Sequence, residues 1–436
     1  MRIRCLVTCF VAASSITVAG AAYAQDISVM AQAIPVVTRA DPTATRTALT
    51  EGYLSQPVLM AHASYDWLRA VSTLNLEGLT LKRGELSTGG YGEGYVDRRH
   101  PHSYVHQLLI GVEHSVGRTD ASLFFGRGFA PFGSDDPMMR PLEKFPINHH
   151  LSQILERVVG VVAVRRGPLI GEFGTFNGDE PTSPGSSPDF HRFGDSWSAR
   201  LTALPLKELE FSASTARVRS PEVRVAQAGL DQRKENVVAR WNRETPDSWR
   251  YALAEYAKTG ERDQGALVTS LSSILGEAAY CKSGVIVSGR LERTDRAEEE
   301  QLADPFRTPR PSVDLANLGV SRWTTITASI SSPAASIGFV SGRPFVEIER
   351  LAVGAGTPAG IFSALNRYGA DRMWMLSAGI RLRAGMMHDR MGRYGAAVPE
   401  GSMAGMAMGT SHSSAESDVM PGMSMGPSSP KNRCSV

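Results

Sequence analysis

The stretch SWSARLTALPLKELEFSAST, residues 196–215, contains the pattern that decides the fold. Apolar and polar residues alternate along it on both sides of a short interruption at Pro205-Leu206-Lys207. Successive side chains of a strand point to opposite faces, so each half predicts a strand with one apolar and one polar face, joined by a tight turn. The same period of two returns from Trp374 to Arg383. The sequence therefore predicts an all-β protein.

Strand length and loop length favour a membrane barrel over a soluble sandwich, in which strands alternate in the same way. Residues 104–116 form a run long enough for a tilted strand to cross a bilayer, which takes about 9–11 residues. Short connections such as Gly117-Arg118 alternate with long ones such as residues 129–152. Bacterial barrels likewise alternate short periplasmic turns with long outer loops. We predict a single transmembrane antiparallel β-barrel of about 14 strands, within a range of roughly 12 to 16.

The first residues predict export. Arg2 and Arg4 precede an apolar run, and Ala22-Tyr23-Ala24 supplies small residues where a signal peptidase cleaves. An even number of strands would leave both chain ends in the periplasm, on the side of the short turns. The predicted divisions are a signal peptide (1–24), a periplasmic N-terminal arm (25–51), the outer-membrane barrel (52–384) and a disordered Met/His-rich tail (385–436).

Composition and missing motifs exclude several classes of function. Lys and Arg number 46 against 44 Asp and Glu, and this net charge of +2 argues against a nucleic-acid partner. No nucleophile elbow, phosphate loop, dinucleotide fingerprint or metalloprotease motif occurs, so we predict no enzymatic activity and no required cofactor. Loss of the signal leaves two cysteines. We interpret Cys281 as a small apolar strand residue and Cys434 as a free thiol on a loose end.

The segment GRGFAPFG at residues 126–133, followed by Asp135-Asp136-Pro137, resembles the strand-to-loop segments of porin-like outer-membrane proteins. FNGDE at residues 176–180 is of the same kind. The resemblance implies a barrel surrounded by outer-membrane lipid that passes small solutes, and it leaves a homo-oligomer open. One departure is that the chain continues well past its last predicted strand, whereas such barrels usually end on an aromatic residue.

Charged residues fall on the polar faces of the predicted strands, which would line the lumen of a barrel. They would either set ion selectivity or fill the interior with ion pairs, and the sequence leaves both outcomes open. The lumen-lining candidates are Arg200, Glu210, Arg240, Arg290, Arg381 and Arg383.

The tail contains a repeated methionine pattern, MAGMAMG at residues 403–409 and MPGMSMG at residues 420–426. Thioether sulfur is a soft ligand that selects Cu(I) and, by the same softness, Ag(I). The small residues between the methionines would keep the segment disordered until it binds. The tail is similar to the Met/Gly/His-rich stretches of copper-resistance outer-membrane proteins in ligand type only, because there the stretch precedes the barrel. The predicted metal ligands are Met403, Met406, Met408, His412, Met420, Met423 and Met425.

Three functions stay open on the sequence. The first is porin-like passive passage or envelope handling of small solutes, linked to copper or silver ions through the tail. The second is a structural or adhesive barrel whose tail is inert. The third is an outer-membrane enzyme whose catalytic residues meet only in the folded chain. Membrane fractionation together with Cu(I) titration of the tail would separate them best.

Overall fold

The computed structural model describes residues 26–42, 48–80, 103–179, 181, 184–185, 190–219, 229–245, 247–299, 317–361, 363–385, 390–399 and 434. The predicted signal peptide and the predicted metal ligands of the tail lie outside these residues. Within the ranges described, no helix is long and apolar enough to cross a membrane.

Within the described residues, seventeen strands form one antiparallel sheet. They are β1 (Asp26–Asp41), β2 (Leu49–Tyr65), β3 (Leu68–Asn75), β4 (Val105–Val116), β5 (Thr119–Gly128), β6 (Arg157–Arg166), β7 (Leu169–Phe176), β8 (Ser196–Leu206), β9 (Leu209–Val218), β10 (Asp231–Thr245), β11 (Ser248–Asp263), β12 (Ala266–Lys282), β13 (Val285–Glu299), β14 (Asn317–Ser331), β15 (Ala335–Ile337), β16 (Val340–Ala355) and β17 (Arg372–Gly385). The helical elements are α1 (Glu77–Thr80), α2 (His149–Ser152), α3 (Ala364–Tyr368) and two 3-10 turns, Pro137–Met139 and Gly395–Ala397.

The sheet closes on itself through β1 and β17, which pair from Met30 opposite Gly385 to Asp41 opposite Trp374. The short strand β15 pairs only with β16, and β14 pairs directly with β16. The barrel proper therefore has 16 strands with β15 outside it. This is more than the predicted value of about 14 but an even number within the predicted range.

β1 corrects the prediction for the start of the mature chain. Residues 25–51 were expected to form a periplasmic arm, yet Asp26–Asp41 is the strand that closes the barrel. Its polarity does not alternate, because Ile34 and Val36 on the inward face pack in an interior apolar cluster. Pro35 lies in the same strand, close to a register shift between β1 and β2, where a missing amide is tolerated. The sequence of this strand therefore lacks the alternation of apolar and polar residues by which the other strands were predicted.

The alternation along the other strands separates an apolar exterior from a polar interior. Leu201 and Phe211 are 60% and 46% exposed on the outer face, whereas Arg200 and Glu210, next to them in sequence, are buried. Trp197, Leu376 and Ile380 are likewise exposed outer residues. The predicted division into two faces is confirmed, and an apolar exterior is what a bilayer requires of a barrel.

The two ends of the barrel differ in their connections. Two-residue turns such as Gly117-Arg118 and Lys207-Glu208 join strands at one end, which we call the short-turn end. β1 begins and β17 ends at this same end. Most connections at the opposite end are long, and the longest described one, residues 129–156, joins β5 to β6.

Two segments fold into the barrel. Residues 129–156, which we call the interior loop, are buried except for Met139 and His150, which are half-buried. Residues 390–399, the C-terminal insert, follow β17 and are buried except for Gly395 and Val398, also half-buried. The interior loop was expected among the outer loops and the insert in a disordered tail. Both predictions are wrong for these residues, because charged side chains pair with the inner wall.

Candidate functional site: the barrel lumen

Carboxylates of the barrel wall hold the backbone of the interior loop. The amides of Ile147 and Asn148 donate to Glu292 on β13, at 3.0 and 2.6 Å. The two amides at residues 143–144 donate to Glu347 on β16, both at 3.1 Å. Each carboxylate thus accepts two consecutive N–H groups, a pairing that satisfies buried backbone donors with charge-assisted hydrogen bonds. The loop is fixed against the wall formed by β13 to β16.

Side-chain ion pairs join the interior loop to the same wall. Arg381 Nε on β17 donates to the Glu143 carboxylate at 2.8 Å. Lys144 pairs with Glu349 on β16. Arg290 Nη1 on β13 donates to the carbonyl of Lys144 at 2.6 Å. These charges are almost fully buried, so the removal of one partner would leave an uncompensated charge, at a cost of about 3–5 kcal/mol.

The C-terminal insert is anchored to the other wall by two arginines. Arg390 Nη1 donates to Glu210 Oε2 on β9 at 2.5 Å. Arg393 donates to Glu210 Oε1 at 3.0 Å and to Glu172 Oε2 on β7 at 2.9 Å. Guanidinium groups suit this task, since their forked donors can serve two carboxylates at once.

Tyr394 fixes the insert against β4 and β5. Its hydroxyl oxygen accepts from Gln107 Nε2 at 2.8 Å and from the backbone amide of Phe129 at 2.9 Å. Its ring packs on Phe124 with centroids 5.6 Å apart. Because Phe129 begins the interior loop, this tyrosine connects the insert, the loop and the wall.

Asp135 connects the interior loop with β10 of the barrel wall and with the C-terminal insert. Arg240 on β10 and Arg390 of the insert both pair with its carboxylate. Arg393 Nε lies 3.9 Å from it. Burial alone would raise the pKa of Asp135, but the three surrounding guanidinium groups hold that pKa well below its usual range. The carboxylate is therefore ionised in the folded protein.

The six lumen-lining candidates all have partners inside the barrel, and five of them are held in ion pairs. Arg383 is the exception, since it donates to an amide. The contacts are Arg200 with Glu172 at 2.6 Å, Glu210 with Arg390 at 2.5 Å, Arg240 with Asp135, Arg290 with Glu277 at 2.8 Å, Arg381 with Glu143 at 2.8 Å, and Arg383 with Gln32 at 2.8 Å.

The partners of these residues were missed from the sequence. They are Gln32, Asp135, Glu143, Glu172, Glu277, Arg390 and Arg393. One usable signal was present in the interior loop, where Phe132, Leu142 and Phe145 are all buried. A solvated outer loop has little reason to contain so many large apolar residues. The insert offered no comparable local signal.

A disulfide between Cys281 and Cys434 corrects the interpretation of both cysteines. Cys281 lies near the end of β12 at the short-turn end, and both residues are fully buried. They belong to an apolar cluster with Trp249, Tyr251 and Ile286 from the inward faces of β11 and β13. Their separation of 153 residues gives no local spacing from which pairing could be predicted.

A cavity of about 530 Å³ lies at the short-turn end, between the C-terminal insert and strands β1 to β6. Arg69 and Glu113 on its wall form an ion pair at 3.1 Å. Asp26, His62, Asp120 and Arg165 complete its charged and titratable lining on the strands. Among the residues that the structure describes, no group of three or more His, Cys, Asp or Glu side chains is placed to hold a metal ion.

Comparison with known proteins gives structural likeness alone. No family model and no curated protein matches the chain. Among solved structures, an anion-selective porin from Comamonas acidovorans is 12% identical, with a TM-score of 0.47, covering 83% of this chain and 100% of that one. A loop-deletion mutant of OmpT, an outer membrane protein of Vibrio cholerae, is 10% identical, with a TM-score of 0.46, covering 83% and 99%. OccK9 of Pseudomonas aeruginosa is 11% identical, with a TM-score of 0.39, covering 84% and 100%. The assignment as a barrel rests on the strand pairing itself.

Proposed function

We propose that this protein is an outer-membrane channel of the porin type that handles small polar solutes. The observation that carries the proposal is a closed barrel with an apolar exterior and a lumen lined with charged side chains. Charged rings and patches are how such pores select among ions. The short-turn end would face the periplasm, as in other bacterial barrels, and both chain ends would then be periplasmic.

A cluster of arginines at the short-turn end of β16 and β17 points to anionic solutes. Arg343 and Arg381 are directly opposite each other in the pairing of these strands, and Arg383 follows on the same face. Glu143 is the carboxylate that pairs with this group, through Arg381. Arg383 donates to the neutral amide of Gln32, so its charge is not cancelled by that contact. This part of the lumen therefore favours negative charge.

Ion selectivity in planar bilayers tests the proposal. Replacing Arg383→Ser should shift the reversal potential in a salt gradient toward less anion preference. Arg39→Ser is the matched control, because Arg39 lies on β1 next to β17 but points outward. An unchanged reversal potential in Arg383→Ser would show that this arginine does not line a conducting path.

A structural barrel that does not transport is the second candidate. The specific observation in its favour is the network of buried ion pairs that joins the interior loop and the C-terminal insert to both walls. Water-filled pores need unobstructed space, whereas paired charges can fill a lumen instead. A complete lack of conductance under every condition and in every variant would favour this candidate.

Metal binding by the tail stays a separate proposal. Its support is the soft character of the repeated thioethers, which favours Cu(I) and Ag(I) over Zn²⁺. In the structure, this part of the chain is attached to the barrel at two places, the C-terminal insert at residues 390–399 and the disulfide at Cys434. The expected result is Cu(I) binding by the whole protein that is lost when the repeat methionines become leucine.

A further inference from the structure

We propose that the C-terminal insert, residues 390–399, is a self-inhibitory plug that closes the lumen and can leave it without unfolding the barrel. This inference rests on the proposed function as a channel, and it concerns how passage through that channel is regulated. Four observations carry it: the independence of the barrel from the insert, the chemistry of the insert's contacts, the wall charges that remain when it leaves, and the position of its two covalent connections.

The barrel closes without the insert. β17 ends at Gly385, and the pairing of β1 with β17 is already complete there. The backbone hydrogen bonds between main-chain groups within the insert are local ones, such as Arg393 N to Arg390 O at 3.1 Å and Ala397 N to Tyr394 O at 3.0 Å. The insert adds no strand to the sheet, so its departure breaks no ladder hydrogen bond.

Polar contacts with the wall and the interior loop anchor the insert, and its apolar contacts are made by Met391, Tyr394, Ala396 and Ala397. Arg390 and Arg393 bind three carboxylates, and the Tyr394 hydroxyl accepts two hydrogen bonds. Ala396 N donates to Ser122 Oγ at 3.1 Å. Polar groups can exchange their protein partners for water molecules when water enters the lumen. A large apolar interface would instead lose the favourable free energy of its burial, and water would not compensate for that loss.

The wall keeps partners for most of its charges when the insert leaves. Glu172 accepts two hydrogen bonds from Arg200, both at 2.6 Å, and Asp135 is also paired with Arg240. Glu210, in contrast, forms its ion pairs with Arg390 and Arg393 of the insert. One carboxylate, now in contact with water, would thus be the main charge left behind. An acidic side chain exposed in this way suits an open polar channel.

The covalent connections of the insert define the way out. The chain reaches the insert from Gly385, at the short-turn end of β17. It is bonded again to the wall where Cys434 meets Cys281, near the short-turn end of β12. The cavity of about 530 Å³ beside Arg393 and Tyr394 lies at this end as well. The insert therefore enters and leaves through the short-turn end.

The experiment compares the conductance of full-length proteins in planar lipid bilayers. The variants are wild type, Arg390→Ser/Arg393→Ser, Tyr394→Phe, and Arg233→Ser as the control. Arg233 is an exposed arginine on β10 outside the lumen.

The double variant should conduct several-fold more than wild type, and Tyr394→Phe should show a smaller increase, since it loses only the two hydrogen bonds to its hydroxyl. Arg233→Ser should match wild type. Heat-dependent gel migration confirms in each case that the barrel has folded.

The outcomes separate the plug from the channel. Equal, substantial conductance of wild type and all variants would overturn the plug while leaving the proposed channel intact. A folded double variant that conducts no more than a closed wild type would overturn the plug as the barrier and would count against the channel as well. An increase confined to the insert variants would support both. If the double variant does not fold, an increase in the folded Tyr394→Phe protein supports the plug and its absence overturns it.

Discussion

The position of Leu201 offers the sharpest test of the membrane-spanning barrel. Leu201 is the sixth of the 11 residues of β8 and is 60% exposed on the outer face. This places its side chain near the middle of the bilayer. An arginine at the bilayer midplane of a barrel costs about 2–4 kcal/mol, so Leu201→Arg should lower the free energy of unfolding by about that amount.

Leu206→Arg supplies the matched control. Leu206 lies at the end of the same strand, is 61% exposed, and receives the same substitution. Five residues at about 3.3 Å each, along a strand tilted by about 45°, separate it from Leu201 by about 12 Å of membrane depth. This distance reaches the interface, where arginine costs about 0–1 kcal/mol.

Unfolding by guanidinium chloride in lipid vesicles measures both variants, with tryptophan fluorescence as the signal. The expected result is a loss of stability that is clearly larger for Leu201→Arg than for Leu206→Arg. Equal losses, or a larger loss at Leu206, would show that depth in a bilayer does not govern the cost. The outer face would then not be the lipid-facing surface of a barrel.

Three further predictions concern the disulfide, the closed lumen and the tail. Cys434→Ser should lower stability by at most about 5 kcal/mol, the chain-entropy value for its 153-residue loop, and the variant should lose the sensitivity of wild-type unfolding to reductant; a wild type indifferent to reductant would contradict this. The depressed pKa of Asp135 means that its contribution to stability is complete above the ordinary carboxyl pKa of about 4 and is lost only as the pH falls through its lower folded value, so the difference in free energy of unfolding between wild type and Asp135→Asn should stay constant between pH 7 and about 5; a difference that changes within that window would refute the role given to Asp135. Competition with a Cu(I) chelator should show binding by the whole protein but not by a variant with its six repeat methionines changed to leucine, and equal binding, or a stronger response to Zn²⁺, would defeat the metal proposal.

The sequence by itself determined the strand faces. In β8 and β9 the apolar residues Trp197, Leu201 and Phe211 take one side and Arg200 and Glu210 the other. This information is local, because the direction of a side chain depends only on its position along the strand. The number of strands was harder to predict from the sequence, because β1 has apolar residues on both faces. Its place in the barrel depends on pairing with β17, which lies far from it along the chain.

Only the tertiary structure decided what occupies the lumen. Arg390 meets Asp135 across 255 residues of sequence, and Cys281 meets Cys434 across 153. No local period encodes such contacts, because Asp135, Arg390 and Cys434 look like solvent-exposed loop or tail positions until the closed sheet brings their partners near. The sequence left open whether the lumen charges select ions or fill the interior with ion pairs. The fold shows the pairing, because burial inside a barrel makes an unpaired charge too costly.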